Sequence, residues 1–472
     1  MSWLSAMEEV ANRRRRSAAN RDGGGRAAPD PLAAGTLSPE AQEARRTVVL
    51  SYLSPPSRRA AAVFLGCDDY AVVHERHGAT MANLLMACLP DFVAEEDGQV
   101  VLTALFGDRG DDVSNVITCV LELGGQVRHI VTNGHVFMHL PDEQVVVSAN
   151  MLDGPHGLMS DLIVRSNRDS GDFFRRWREF ARTHNHLRGR PFFADGSLIE
   201  RKRRYTWDDV LLPEDIKRTI QTQVAGFLAN RARLRALGVK ARRGLILEGR
   251  PGTGKTLLGK VLADTLAVSF MWVSPRHVET PRSFAEILEL ARFLAPTVLF
   301  LEDLDLFAQD REMRGWMGLG ELMNQLDGAI DNEDIITIAT TNRLEVVEKA
   351  LRNRPGRFDR VLTLDEMDEA CRRRLLAKML VHATVSAEDM AHLVAATEGY
   401  TGAQIEELAN TLYILGVQGS GDRSGGDNGN GDGAPAAVAI DRSLIGLALR
   451  EVRGESGARM GFAPVSGRLS AT

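Results

Sequence analysis

Leu245-Ile246-Leu247-Glu248-Gly249-Arg250-Pro251-Gly252-Thr253-Gly254-Lys255-Thr256-Leu257-Leu258 is the stretch on which the reading of the fold turns. Its three leading apolar residues make a short strand, and Leu257, Leu258, Val261 and Leu262 recur at helical spacing behind it. Between them stands Gly-x-x-x-x-Gly-Lys-Thr, in the strand–loop–helix context that gives the pattern its meaning. Glycines let backbone N–H groups wrap phosphate oxygens, and the helix N-terminus adds positive potential. In such a loop Lys255 neutralises the β/γ oxygens and the Thr256 hydroxyl ligates Mg²⁺. The expected nucleotide contacts are Gly249, Pro251, Gly252, Thr253, Gly254, Lys255, Thr256 and Leu257.

About fifty residues on, the buried-type strand Val298-Leu299-Phe300-Leu301 ends in Glu302-Asp303, followed by Leu304-Asp305. Acids at the C-terminal end of such a strand face the crevice where open α/β sheets bind ligands. One carboxylate, Glu302, can hold the Mg²⁺ hydration shell while the next, Asp303, positions the attacking water. A further apolar strand, Ile335 to Thr341, ends in Asn342, which either orients water and the γ-phosphate or forms a turn.

Tyr205-Thr206-Trp207-Asp208-Asp209-Val210, Leu237-Gly238-Val239 with Arg243-Gly244, Ala295-Pro296, Thr340-Thr341-Asn342, Arg354-Pro355-Gly356-Arg357-Phe358-Asp359-Arg360 and Gly399-Tyr400-Thr401-Gly402-Ala403 complete an ordered set that resembles an AAA ATPase module of bacterial type, from about Tyr205 to Val452. The resemblance implies a parallel, doubly wound α/β P-loop NTPase domain with a small α-helical lid, using ATP and Mg²⁺ and assembling as a homo-oligomeric, hexameric ring in the family's manner. By the same resemblance Asn342 is the sensor-1 residue, and Arg354 and Arg357 are arginine fingers acting on the neighbouring subunit's nucleotide. Val210, Leu211, His382, Gly402 and Ala403 then frame adenine and ribose. Three departures stand out. The acids run Glu302 then Asp303, an order similar to the mitochondrial Rieske-protein translocase branch; Ser274 to Arg282 lacks the aromatic-hydrophobic-Gly pore loop, with His277-Val278-Glu279 in its place; and Asn353 is an extra residue before Arg354. Leu211-Leu212 also replaces the usual Gly-Gly.

The remaining chain sets the boundaries. Its 472 residues give a length prior of about three domains. With 44% hydrophobic and 25% charged residues, a wholly disordered chain is excluded. A formal charge of −6, from 57 basic and 63 acidic residues, gives nucleic-acid binding no support. Only 7 of the basic residues are lysine, a compositional bias more than a set of recognition contacts. Four scattered cysteines, Cys67, Cys88, Cys119 and Cys371, argue against a disulfide framework and point to the cytoplasm, and no apolar run is long enough to span a membrane. Residues 1–45 and 454–472 read as disordered tails, the first basic; 46–200 as an α+β N-terminal domain; 201–365 as the large ATPase domain; and 366–453 as the lid, interrupted by a flexible Gly/Asp-rich insertion at 418–436.

Within the N-terminal domain, Val127 to Thr132, Asn133-Gly134 and His135 to Leu140 predict a hairpin with a two-residue turn, continued by Val145 to Val147. Val113, Val116, Ile117, Val120 and Leu121 predict a helix between Asp111 and Gly124. Phe173, Phe174, Trp177 and Phe180 mark the core face of another helix. His74-Glu75-Arg76-His77 falls one residue short of the His-Glu-x-x-His zinc motif, with no third ligand nominated. Arg201 to Arg204 reads as a solvated linker. The leading functional expectation is an ATP-hydrolysing homo-oligomeric ring that remodels protein clients selected by the N-terminal domain, with nucleotide-driven motion passing through residues 171–204. The alternative is a nucleotide-gated scaffold with little turnover. A membrane metalloprotease is disfavoured by the missing zinc motif and spanning helix.

Overall fold

The computed structural model describes residues 55–106, 113–114, 116–122, 125, 127–154, 157–239, 242–278, 280–309, 319–326, 333–351, 358–364, 366–421 and 437–453. Both expected tails, most of the expected insertion, Glu279, Asn353, Arg354 and Arg357 lie outside the described residues.

The N-terminal part is α+β. It runs α1 (Pro55–Leu65), β1 (Ala71–Gly78), α2 (Ala79–Glu95), β2 (Gln99–Phe106), β3 (Val113–Ser114), β4 (Ile117–Glu122), β5 (Val127–His139), β6 (Gln144–Gly154), β7 (Gly157–Ser166) and α3 (Ser170–Thr183). The strands form an antiparallel sheet in the order β1-β7-β6-β5-β2-β3, with β4 also paired to β5. Alternation along β6 serves two layers: Val145 and Val147 join the core under α2 and α3, while Val146 joins Phe137, Phe64 and Ala61 under α1. Asp169 caps α3 by accepting the Gly171 and Asp172 N–H groups. Its aromatic face is core as expected, and the Trp177 indole donates to the Leu85 carbonyl at 3.1 Å.

Two expectations for this sheet are corrected. The stretch expected as a helix between Asp111 and Gly124 contributes β3 and β4, because its β-branched residues find an antiparallel partner in the first half of β5, from Ile117 opposite Asn133 to Glu122 opposite Val127. Ile117 and Val120, meant for a buried helical stripe, are about half exposed. Nor does Asn133-Gly134 turn: β5 runs straight through it, passing from β4 to β2 at that point. Asn133 spends its side-chain oxygen on the Met151 N–H at 2.9 Å. Gly134, at φ 142°, is needed because a Cβ there would lie 2.6 Å from Val116 Cγ1.

The second unit is the expected parallel sheet. Its elements are β8 (Pro191–Phe193), α4 (Glu214–Gln221), α5 (Phe227–Ala236), β9 (Arg242–Glu248), α6 (Lys255–Thr265), β10 (Ser269–Val273), α7 (Pro281–Phe293), β11 (Thr297–Leu301), α8 (Leu306–Gln309), α9 (Leu319–Leu326), β12 (Ile335–Thr341), α10 (Leu344–Leu351) and β13 (Arg360–Thr363). The order β13-β9-β12-β11-β10-β8 is parallel throughout. β10, β11 and β12 are buried at every residue, as strands covered on both faces must be. β8 joins this sheet before residue 201, where the large domain was expected to begin.

The lid comprises α11 (Glu369–Met379), β14 (Ala383–Val385), α12 (Ala387–Ala396), α13 (Gly402–Gly421), β15 (Val438–Ile440) and α14 (Arg442–Val452). Asp368, Ser386 and Asp441 cap α11, α12 and α14. A short parallel pair, β14 with β15, was not expected. Helix α13 continues through Gln418 to Gly421, into residues assigned to the insertion.

The two units share a continuous set of buried side chains. At their junction His77 Nδ1 lies 3.3 Å from Glu289 Oε1 on α7, and Gly78 packs against Glu286. His74 and Arg76 instead engage Asp161, so the residues of His74-Glu75-Arg76-His77 part to different partners along a strand. Of the basic run expected as a solvated linker, Lys202, Arg203 and Arg204 are exposed, while Arg201 is docked. Arg201 donates to Asp264 Oδ1 at 2.6 Å, the Tyr205 N–H donates to Asp264 Oδ2 at 2.8 Å, and Arg203 stacks over Tyr205 at 4.7 Å.

Candidate active site

The loop between β9 and α6 turns through two left-handed glycines, Gly252 at φ 83° and Gly254 at φ 95°. At Gly249 a Cβ would meet the Leu364 carbonyl at 2.5 Å, so the cradle closes only around glycine. Thr253 Oγ1 donates to the Arg250 carbonyl at 2.9 Å and holds the loop's curl. Lys255 is buried, and its Nζ donates to the carbonyls of Gly249 at 2.6 Å and Arg250 at 3.0 Å. Burial lowers its pKa, opposed by Asp303, Asp305 and Glu248. An ammonium held on carbonyls at the mouth of a glycine cradle fits a phosphate, which would replace neutral acceptors with charged ones.

The acids are fixed from both sides. The Glu302 N–H donates to the Val273 carbonyl at 2.8 Å, the Asp303 N–H to Thr340 Oγ1 at 3.0 Å, and the Leu304 N–H to the Thr340 carbonyl at 2.7 Å. Glu302 Oε1 accepts from Thr256 Oγ1 at 2.9 Å. The two expected Mg²⁺-binding groups are therefore adjacent, and a hard cation with its waters fits an oxygen pair of this kind. The other Glu302 oxygen accepts from Trp272 Nε1 at 3.0 Å. Asp303 adopts the left-handed conformation, φ 53°, a costly state for a non-glycine residue and one that concentrates at functional sites. Its carboxyl pKa is raised by burial first, then by Glu302 and Asp305.

Asn342 reaches this group from the tip of β12, with Nδ2 3.5 Å from Asp303 Oδ1. Asp305 sets that approach: it is buried, and its Oδ1 accepts from Thr341 Oγ1 at 2.9 Å and from the Asn342 N–H at 3.1 Å. Neither Trp272 nor Asp305 was singled out from the sequence. The signals existed, since a buried indole N–H and a buried carboxylate each require a partner.

The structure also brings the lid to the loop. The Ala403 N–H, in the first turn of α13, donates to the Gly252 carbonyl at 3.3 Å, and Gly402 packs beside the same carbonyl. Val210 is buried with its Cγ2 3.9 Å from a Cβ built on Gly254, while Leu211 is buried in the lid core with Leu375 and Leu376. Lys378 of the lid donates to Asp209 Oδ1 at 3.0 Å; the Thr206 N–H, and then Lys378, hold that carboxyl down to about 2. His382 is exposed at the start of β14, its N–H donating to the Tyr413 hydroxyl at 3.1 Å, and no described contact joins its ring to the loop. In the expected pore segment, His277 Nδ1 accepts from the Ser274 N–H at 3.0 Å and Val278 is buried, so this stretch folds back on its own domain.

A parallel sheet with a glycine cradle on β9, acids on β11 and an asparagine on β12 defines a P-loop ATPase domain. The chain carries a domain of the ATPase family associated with various cellular activities (AAA), whose model matches residues 245–366. The ATP-dependent zinc metalloprotease FtsH of Halothermothrix orenii is 35% identical over 237 residues, which cover 47% of this chain and 37% of that protein. FtsH 1 of Symbiobacterium thermophilum is 33% identical over 274 residues, 54% of this chain and 44% of that protein. The chain thus spans less than half the length of these curated relatives. Among solved structures, a chain described under "Structural Basis for Katanin Self-Assembly" aligns at 24% identity and a TM-score of 0.42, over 53% of this chain and 85% of that one. Among the described residues no helix is long and apolar enough to cross a membrane, and no group of three His, Cys, Asp or Glu side chains is placed to hold a metal.

Proposed function

We propose that this chain binds ATP with Mg²⁺, hydrolyses it as a protomer of a homo-oligomeric, hexameric ring, and uses the turnover to remodel a protein client engaged through the N-terminal domain. The observation that carries this reading is the convergence of Lys255, Thr256, Glu302, Asp303 and Asn342 at the C-terminal ends of three adjacent parallel strands. Bound Mg²⁺ supplies charge neutralisation across the transferring phosphoryl group. Thr256 and Glu302 hold its shell, Lys255 withdraws charge from the β/γ oxygens, and Asp303, aligned by Asn342, accepts a proton from the attacking water. Arg354 and Arg357 complete the neighbouring site, Val210, Leu211, Gly402 and Ala403 border the base and ribose, and His382 follows at the lid's edge. The described cysteines are all free thiols, in keeping with a reducing, cytoplasmic setting.

The test is steady-state ATP hydrolysis across protein concentration, with Lys255→Ala as the blank. Specific activity that rises with concentration supports a ring with fingers supplied in trans. Turnover equal to the blank throughout overturns hydrolysis and selects a nucleotide-gated scaffold, a second reading favoured by the strained, short Asp303 standing where a longer glutamate is usual.

A further inference from the structure

Away from the nucleotide loop, the N-terminal sheet buries a positive charge that nothing nearby balances among the described residues. Arg165 on β7 is 1% exposed, lying on the sheet face covered by α1. Its Nη1 donates to Ser148 Oγ at 2.7 Å, and the Tyr70 phenol lies close to the guanidinium. Nε and Nη2, by contrast, are buried with no partner among the described residues. These two donors form the side-on edge of the guanidinium fork, the edge that takes both oxygens of a carboxylate or phosphate. The same sheet shows that edge in use: Arg76 donates through Nε and Nη2 to the two oxygens of Asp161, at 2.6 and 3.0 Å. Asp161 lies four residues before Arg165 on β7 and is engaged by Arg76 and His74.

Among the described residues, the groups around Arg165 supply no negative charge. Ser148 is neutral, burial raises the Tyr70 phenol's pKa, and burial followed by Arg165 itself lowers the His135 pKa to about 4. His135 also shares Ser148 Oγ, at 2.6 Å. A second arginine, Arg58 of α1, acts on the same Tyr70 and likewise buries an Nε with no partner among the described residues. Burial lowers the Arg165 pKa to about 10, so it remains cationic at neutral pH. An isolated buried cation is costly, and the cost falls when an anion meets its free donors.

The geometry points to a second ligand site in the N-terminal domain, in which Arg165 Nε and Nη2 take a small oxyanion side-on, as a carboxylate or phosphate group. This site is independent of the ATPase reading and shares no residue with it.

The experiment uses the full chain carrying Lys255→Ala, so that phosphate binding at the nucleotide loop does not intrude, and follows thermal melting and calorimetric binding at constant ionic strength. The probes are inorganic phosphate and acetate, each against chloride. A melting temperature that climbs with the logarithm of phosphate alone assigns a phosphate-bearing ligand, with acetate alone a carboxylate-bearing one, and with both the shared chemistry. Arg165→Met in the same background should weaken that binding by about thirtyfold or more. If that variant does not fold, Arg165→Lys, which keeps the charge and loses the side-on pair of donors, is measured in its place and should weaken binding in the same direction. Neither probe shifting the parent, or the folded variant responding as the parent does, overturns the proposal.

Discussion

The indole of Trp272 donates to Glu302 Oε2 at 3.0 Å, while the other oxygen of that carboxylate accepts from Thr256. A strand-borne hydrogen bond thus fixes the rotation of the acid expected to hold the Mg²⁺ shell, and outer partners of this kind tune metal affinity by tenfold or more. Trp272→Phe keeps the ring in the core and removes the donor. The Mg²⁺ concentration giving half-maximal ATP hydrolysis should rise about tenfold with the fold intact. An unchanged Mg²⁺ titration would show that Glu302 is held well enough without it.

Asp303 carries the pH dependence. Burial, Glu302 and Asp305 raise its pKa, so the ionised form needed to accept a proton is lost at a higher pH than for an ordinary aspartate. The acid limb of kcat/KM should therefore fall as pH drops through a value above the normal aspartate range, and Asp303→Asn should abolish that limb and cut hydrolysis by about a hundredfold or more while leaving ATP binding in place. A pH profile that is the same in both proteins would take the proton from Asp303.

At Gly259 on α6, a Cβ would fall 2.5 Å from the Phe300 ring of β11. A ring wedged into a buried strand has no soft rotamer to move into, so Gly259→Ala should destabilise the chain by about 1–3 kcal/mol despite alanine's better helix propensity. Urea unfolding measures it, and a variant as stable as the parent refutes this packing.

The junction between the two units has its own electrostatic signature. The hydrogen bond from His77, and then the nearby Arg178 and Arg292, lower the Glu289 pKa against desolvation. A depressed carboxylate adds stability above its unfolded pKa and loses it as pH falls through the folded one. Glu289→Gln should thus melt earlier than the parent at pH 7, by less than about 1 kcal/mol because the group is partly exposed. The difference should close on acidification below the ordinary glutamate range, and a difference that persists there would assign the loss to shape instead of charge.

Local signals read well because they answer to local physics. The Gly249–Thr256 loop needs its glycines for its own backbone, and β9 to β12 needed only uninterrupted apolar runs. The misreadings arose where a distant partner decided. Val113 to Leu121 has helical spacing, yet β2 offers Val113 a partner and β5 offers Ile117 to Leu121 a ladder; Asn133-Gly134 suits a turn, yet Val116 and Met151 occupy both sides of a continuous strand. The roles of Trp272 and Asp305 are not legible along the chain, because they lie in contacts across strands, with Glu302 and with Thr341 and Asn342, that no spacing encodes. Arg165 was hidden for the same reason, as one arginine in a chain full of them.

The placement of β8 bears on how the protein is to be handled. Pro191–Phe193 comes before the rest of the parallel sheet in the chain but closes its far side, pairing with Phe270 to Trp272. A fragment cut at residue 201 to isolate the ATPase would strip that strand away and leave the backbone of β10 unpaired beside buried apolar side chains, a template for sticking to other chains. Expression trials should begin upstream of Pro191, and insolubility of a shorter fragment would reflect the missing strand and say nothing about the enzyme.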